Sequence, residues 1–146
     1  MVETSVTQDD RRRLTAAEQE HLLTSPLPGV LSTLADEGWI HSVPVHFHMH
    51  DQEIRIIAER EAVKTRNVRR TGRATMCVAA TIEDERRYVM LEGPVAIHDL
   101  VSDEDLELLD TKYGFERDGD DAVSFQGSIT LVMRPERRIA WADFDE

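Results

Sequence analysis

The chain has 146 residues, a net charge of −12 and a single cysteine, Cys77, so it is one domain's length with no disulfide framework of its own. A domain of this size buries roughly 68–70% of its unfolded surface and needs neither a metal nor a cross-link to fold. The acidity argues against nucleic acid or an anionic membrane as partner; with no apolar run of membrane-span length and no signal-peptide profile at the N-terminus, a soluble, reduced, cytoplasmic protein is expected.

In chain order, residues 1–13 are polar and read as a flexible N-terminal arm, leaving 14–146 as the single domain. A helix starts after Leu14, with Thr15 as cap and Glu18 three residues later completing a capping box, and it stops near Pro26 and Pro28. A β meander follows: Val30–Leu34, a turn at residues 35–38 that uses Gly38, a returning strand Trp39–His48, a turn at residues 50–52, and Glu53–Ala58. The segment Ala62–Thr71 reads as a helix closed by Gly72. Strands Ala74–Ala80 and Arg87–His98 flank an acidic turn at Glu83, Asp84 and Glu85. Ser102 and three acidic residues open a helix over Ser102–Tyr113, as a helix N-terminus favours. Gly114–Asp121 is a polar loop, and Ser128–Met133 and Ile139–Phe144 are the last strands. Six to seven strands with two or three short helices, lacking regular βαβ alternation, describe a mainly β, α+β antiparallel barrel.

The basic residues are unevenly placed. The chain has only two lysines, Lys64 and Lys112, against fifteen arginines. Between Arg55 and Arg73 stand seven basic residues (Arg55, Arg60, Lys64, Arg66, Arg69, Arg70 and Arg73) and two acidic ones, Glu59 and Glu61, a local balance of +5. A helix begins inside this island directly after a strand. Its free N–H groups favour phosphate, with Lys64 as a mobile charge and Asn67 as a neutral donor one turn on. The island is therefore either an anion pocket or a solvated basic face.

His46, His48 and His50 would share one face of a strand. No cysteine or carboxylate completes a metal set beside them, so they read as structural residues, with His46 and His48 as weak candidates for donating a proton to substrate. Cys77 lies in an apolar run and reads as a small buried residue. Nucleophile elbows, metalloprotease motifs, Cys-x-x-Cys, dinucleotide fingerprints and P-loops are all absent. An anion pocket without a catalytic constellation fits an enzyme whose cofactor carries the reaction.

At Ala62-Val-Lys64-Thr-Arg66-Asn67-Val-Arg69-Arg70 the sequence resembles the phosphate-binding helix of pyridoxamine 5'-phosphate oxidase-like split barrels. Val30–Gly38 looks like their first hairpin and Ser42-Val-Pro-Val45 like the strand that backs the cofactor ring. Arg87–Gly93 is similar to their interface strand, and the segment from Val132 through Trp141 to their closing strands. The resemblance covers roughly residues 14–144 and is nearest to the branch that uses the deazaflavin coenzyme F420. FMN-dependent members usually carry an arginine where this chain has Val63 and another where it has Ser42, so FMN is the alternative cofactor, with Arg60 or Arg66 as substitute phosphate ligands.

The resemblance implies a split β-barrel homodimer in which Lys64 and Asn67 hold the phosphate. Ser42, Val43, Pro44, Val45, Ile57 and Ala58 would line the ring, and Tyr88 and Trp141 would close the pocket near the dimer seam. The implied reaction is hydride transfer between F420 and an unsaturated small molecule. An FMN oxidoreductase or a non-catalytic flavin- or heme-binding relative are the alternatives.

Overall fold

The computed structural model describes residues 11–116 and 125–144. In order these form β1 (Arg11–Arg13), α1 (Ala16–Thr24), β2 (Gly29–Leu34), β3 (Ile40–Val45), β4 (His48–His50), β5 (Glu53–Glu59), α2 (Val63–Thr71), β6 (Arg73–Ile82), β7 (Glu85–His98), α3 (Asp103–Tyr113), β8 (Ser128–Met133) and β9 (Arg137–Phe144). The strands run β3-β2-β6-β7-β8-β5-β4, and β9 pairs with both β7 and β1. The fold is the expected mainly antiparallel α+β split barrel, with nine strands in place of six or seven. Most of the expected loop at residues 114–121 lies outside the described residues.

Two differences raise the strand count. Arg11–Arg13, expected in the loose arm, pair with Asp143, Ala142 and Trp141 of β9. Arg12 explains this: its guanidinium forms a bidentate pair with Glu18 at 2.9 and 2.7 Å and another with Glu85 at 3.0 and 2.7 Å. Glu18 in turn closes the predicted capping box on Thr15, so β1 and α1 are fixed by one carboxylate. The guanidinium holds the Glu18 carboxyl well below its ordinary range, at about 2.

The second difference is a break at His46 and Phe47, which divides the expected strand Trp39–His48 into β3 and β4. Distant side chains take up the Phe47 backbone at this break. The Tyr113 hydroxyl accepts from the Phe47 N–H at 3.2 Å, and the Lys112 ammonium donates to the Phe47 carbonyl at 2.8 Å.

The barrel is split by β7, the longest strand. Its first part pairs with β6 on one side and β9 on the other, and Val95–His98 pair with β8. The turn from one sheet to the other falls at Gly93-Pro94. A Cβ at Gly93 would sit 2.1 Å from the Arg134 carbonyl oxygen, so only glycine permits the approach. Inside, Leu31, Ile54, Ile56, Met76, Val78, Val89, Leu91, Ile129, Leu131 and Met133 are almost wholly buried on the inward faces of their strands, and Phe47 joins them from the break between β3 and β4. Leu22 and Leu23 of α1 join this core at one end.

Candidate functional site

The site is built around the start of α2. Ala62 takes the N-cap position but has no side chain that could cap, and no acidic residue stands in the first turn. The Thr65 hydroxyl turns back to donate to the Glu59 carbonyl at 2.7 Å, which fixes the strand-to-helix turn. The Arg66 N–H is the first to find its helical acceptor, on Ala62 at 3.0 Å. The amides of Val63, Lys64 and Thr65 therefore face outward at the positive end of the helix dipole.

Lys64 stands on this turn and lines a cleft of about 280 Å³. Pro44, Val45 and His46 come from the end of β3, Ile57 from β5, Leu109 from α3, and Phe115 and Phe125 complete the wall. The His46 ring packs on Tyr113 at 4.5 Å and edge-on to Phe115 at 5.0 Å between centroids, so it forms part of an aromatic wall near Lys64.

The charge island resolves into two parts. Arg55 pairs with Asp105 and Glu53, Arg60 with Asp99, and Arg73 with Glu92 and Glu136. Arg70 donates to the Leu34 carbonyl. The side chains of Lys64, Arg66 and Arg69 have no hydrogen bond or ion pair among the described residues. The unpaired cations all belong to α2, so the island is not a uniform solvated face.

The expected site residues divide in the same way. Pro44, Val45, Ile57, Lys64 and His46 come together in the cleft. Arg66 and Asn67 line a second cleft, also about 280 Å³, with Trp39 and the Asp36–Glu37 turn on its other side. The Asn67 amide is already committed: it is buried and donates to the Thr33 hydroxyl at 3.0 Å, tying α2 to β2. Val43 and Ala58, expected against a ring, turn inward to the core, because their neighbours along each strand hold the outer face. Ser42 bonds the Ser32 hydroxyl at 2.8 Å on the outer face of the sheet. Arg60 is engaged with Asp99. Tyr88 and Trp141 stand directly abreast on β7 and β9, away from the cleft, with the Arg11 and Arg13 guanidiniums 5.1 and 5.2 Å from the Trp141 ring.

His48 is not at the cleft. It is buried, with its Nε2 2.8 Å from the Asp105 carboxylate, while His50 lies near Asp51 and Glu104. No cluster of three or more metal-ligating side chains exists among the described residues. Cys77 is half-buried, and burial pushes its thiol up, away from the reactive thiolate. Leu109, Phe115 and Phe125 were missed by sequence reasoning, since nothing in a helix leucine or two loop phenylalanines marks a shared cleft.

A larger cleft, about 440 Å³, lies elsewhere, between α1 and the β8–β9 connection. Its lining mixes Glu20 and Glu136 with Arg137 and Arg138, and Arg138 is bonded to Gln19. The smaller cleft at α2 has the stronger chemistry, with an unpaired cation and three free amides beside apolar side chains.

A split antiparallel barrel whose uncapped, cation-bearing helix start opens onto an apolar cleft has the chemistry to hold an anionic ring ligand. The family model of pyridoxamine 5'-phosphate oxidase matches residues 15–142, and the chain belongs to that family. No curated protein matches its sequence. Among solved structures, a conserved hypothetical protein from Mycobacterium tuberculosis superposes with a TM-score of 0.72 at 20% identity, covering 88% of this chain and 84% of its own. An F420 reductase superposes at 0.70 and 22% identity, over 82% of this chain and 94% of its own. An FAD-binding protein from Mesorhizobium loti does so at 0.68 and 17%, over 90% and 97%. No helix among the described residues is long and apolar enough to cross a membrane.

Proposed function

We propose that the protein is an F420-dependent oxidoreductase that acts as a homodimer in the cytoplasm on an unsaturated small molecule. The observation that carries this reading is the unpaired Lys64 on the uncapped first turn of α2, lining a cleft with Pro44, Val45 and Ile57. Family membership and likeness to an F420 reductase support it. Arg60, one substitute phosphate ligand in the FMN reading, already has Asp99 as partner, which leaves the unpaired Arg66 as the other.

The donor set fits a phosphorylated ring cofactor. Lys64 and the amides of Val63, Lys64 and Thr65 would hold a phosphate, and Pro44, Val45 and Ile57 would give the ring an apolar surface. When bound, reduced F420 supplies a hydride from its ring carbon C5. The chain's own part is to fix the acceptor beside the ring, which provides much of the acceleration. His46, on the cleft wall, is the side chain placed to deliver the accompanying proton; His48, held by Asp105, is not.

The homodimer reading rests on the outer face of the sheet. Pro44, Val30, Cys77, Met90 and Ile139 lie directly abreast across five strands, and Leu34 faces Ile40 beside them. Val30, Leu34, Trp39 and Ile40 are 42–68% exposed, so this end of the sheet presents apolar side chains to solvent. A twofold copy of the same face would cover it and bring Tyr88 and Trp141 to the seam.

Parallel fluorescence titrations with F420 and FMN test the cofactor, with colour on purification as the first check. Tight F420 binding supports the reductase. Tight FMN binding moves the chain to the oxidase side, where oxygen consumption is the next assay. Binding of neither removes the oxidoreductase reading. Light scattering tests the dimer, which Val30→Arg should convert to monomer.

A further inference from the structure

The mechanism leaves one buried polar cluster unused. His48 on β4 places Nε2 2.8 Å from Oδ1 of Asp105, and both side chains are 5% exposed. Asp105 stands in the first turn of α3, where its N–H donates to the Ser102 hydroxyl at 3.0 Å. Its other oxygen receives Arg55 at 3.2 Å, from the residue directly across from His48 on β5. Arg55 also reaches Glu53, and the His50 ring lies 6.4 Å from His48, near Glu104 and Asp51. These are the charged and titratable groups that face His48 from β4, β5 and α3.

Nδ1 of His48 is buried and has no hydrogen-bond partner. With Nε2–H donated to an anionic Asp105, the neutral ring leaves only a bare lone pair at Nδ1. Adding a proton would put a second buried charge beside Arg55, with only the Asp105 carboxylate and the Met49 backbone to offset its loss of water. Burial accordingly pushes His48 below its ordinary value, against the pull of Asp105. Burial alone would raise Asp105, but the bonds from Ser102 and His48 and the Arg55 charge hold it low.

The first two turns of α3 bury only Asp105 and Leu109, while Leu108 is exposed; its last turn is tied separately, by Lys112 to the Leu23 and Phe47 carbonyls and by Tyr113 to the Leu27 carbonyl. Yet α3 supplies Leu109 to the cleft wall, and Phe115 follows one residue beyond its Gly114 cap.

We propose that His48 is a proton-sensitive positioning residue that latches α3 through Asp105 and thereby sets the Leu109–Phe115 wall of the cleft. The sign follows from the depressed value. Below the ordinary histidine range an undocked α3 binds more protons than the docked one, so docking is complete above about pH 6.5 and is lost as pH falls. The loss is limited to about tenfold in the docking equilibrium for each pH unit below 6.5. The link from docking to ligand binding rests on the cleft being the cofactor site.

Amide hydrogen exchange of the ligand-free protein at pH 7.5 and 5.5, expressed as protection factors, reads the latch by itself. Protection of the α3 amides should fall by up to about tenfold at pH 5.5 while β6 and β7 stay protected. In His48→Gln, which cannot take up the proton, α3 protection should be the same at both pH values. Asp105→Asn should loosen α3 at both. Unchanged α3 protection in the wild type, or a full acid response in His48→Gln, would overturn the proposal. Should His48→Gln not fold, an ordinary titration of His48 near pH 6.5 in the NMR spectrum of the wild type overturns it equally. F420 and FMN titrations at the two pH values then separate the readings: a pH-sensitive α3 without binding of either cofactor keeps the latch and removes the site.

Discussion

The two helices beside the cleft, α2 and α3, are capped in opposite ways. The N-cap of α3 is Ser102, whose hydroxyl takes the Asp105 N–H, and three acidic residues fill its first turn. At the start of α2, Ala62 offers no cap, no acid follows, and the nearby cations are unpaired. Both helices end alike, on a glycine in the left-handed region, Gly72 and Gly114. The chain thus has the means to finish a helix start and does not apply them at α2. The free amides there are open to a ligand, and the complete cap of α3 leaves that helix to be held by protein contacts alone.

The largest test of this contrast is Lys64→Ala. It should weaken cofactor affinity by more than about tenfold, about 1.4 kcal/mol, with the melting temperature almost unchanged, since Lys64 has no protein partner to lose. Unchanged affinity would remove the anion-pocket assignment. Next, Ala62→Asp supplies the missing cap. It should stabilise the free protein by about 1 kcal/mol and weaken anion binding several-fold, because the new carboxylate competes for the same amides. A gain in both would mean that α2 does not receive the phosphate.

Ser102→Ala makes the converse change. It should cost about 1 kcal/mol in a denaturation experiment, with a smaller effect on affinity than either α2 variant. The smallest effect is expected from Trp141→Ala in cofactor titration at low protein concentration, where the proposed dimer would dissociate. Trp141 stands apart from the cleft within one chain, so affinity should fall only where the second protomer brings it near. Wild-type affinity at every concentration would assign Trp141 to packing with Arg11 and Arg13.

Local rules made the elements readable. The Thr15–Glu18 box, Gly38, Gly72 and Ser102 each act within a few residues of their own position, and all four behave as their spacing indicates. What escaped depends on distant partners. Three consecutive arginines do not read as a strand; β1 depends on distant partners, the β9 backbone it pairs with and Glu85, 73 residues from Arg12. The break between β3 and β4 follows from Lys112 and Tyr113, which no pattern near Phe47 announces. Of the site, Lys64 and the Pro44–Val45 strand were legible through their charge setting and the family resemblance. The direction each ring-lining side chain takes was not, because Ile57 and Ala58 look equally apolar until the sheet turns one to the cleft and the other to the core.

The bend of β7 at Gly93-Pro94 bears on how the protein comes apart. One continuous strand belongs to both sheets, between β6 and β9 in the first and at the edge beside β8 in the second, so the two sheets are joined through it. Thermal and chemical melting should therefore follow a single cooperative transition, with the same midpoint whether Trp39 or backbone dichroism is observed. Gly93→Ala, which forces the strand away from the Arg134 carbonyl, would then lower the stability of the whole chain as one unit, since there is no independent half to survive it.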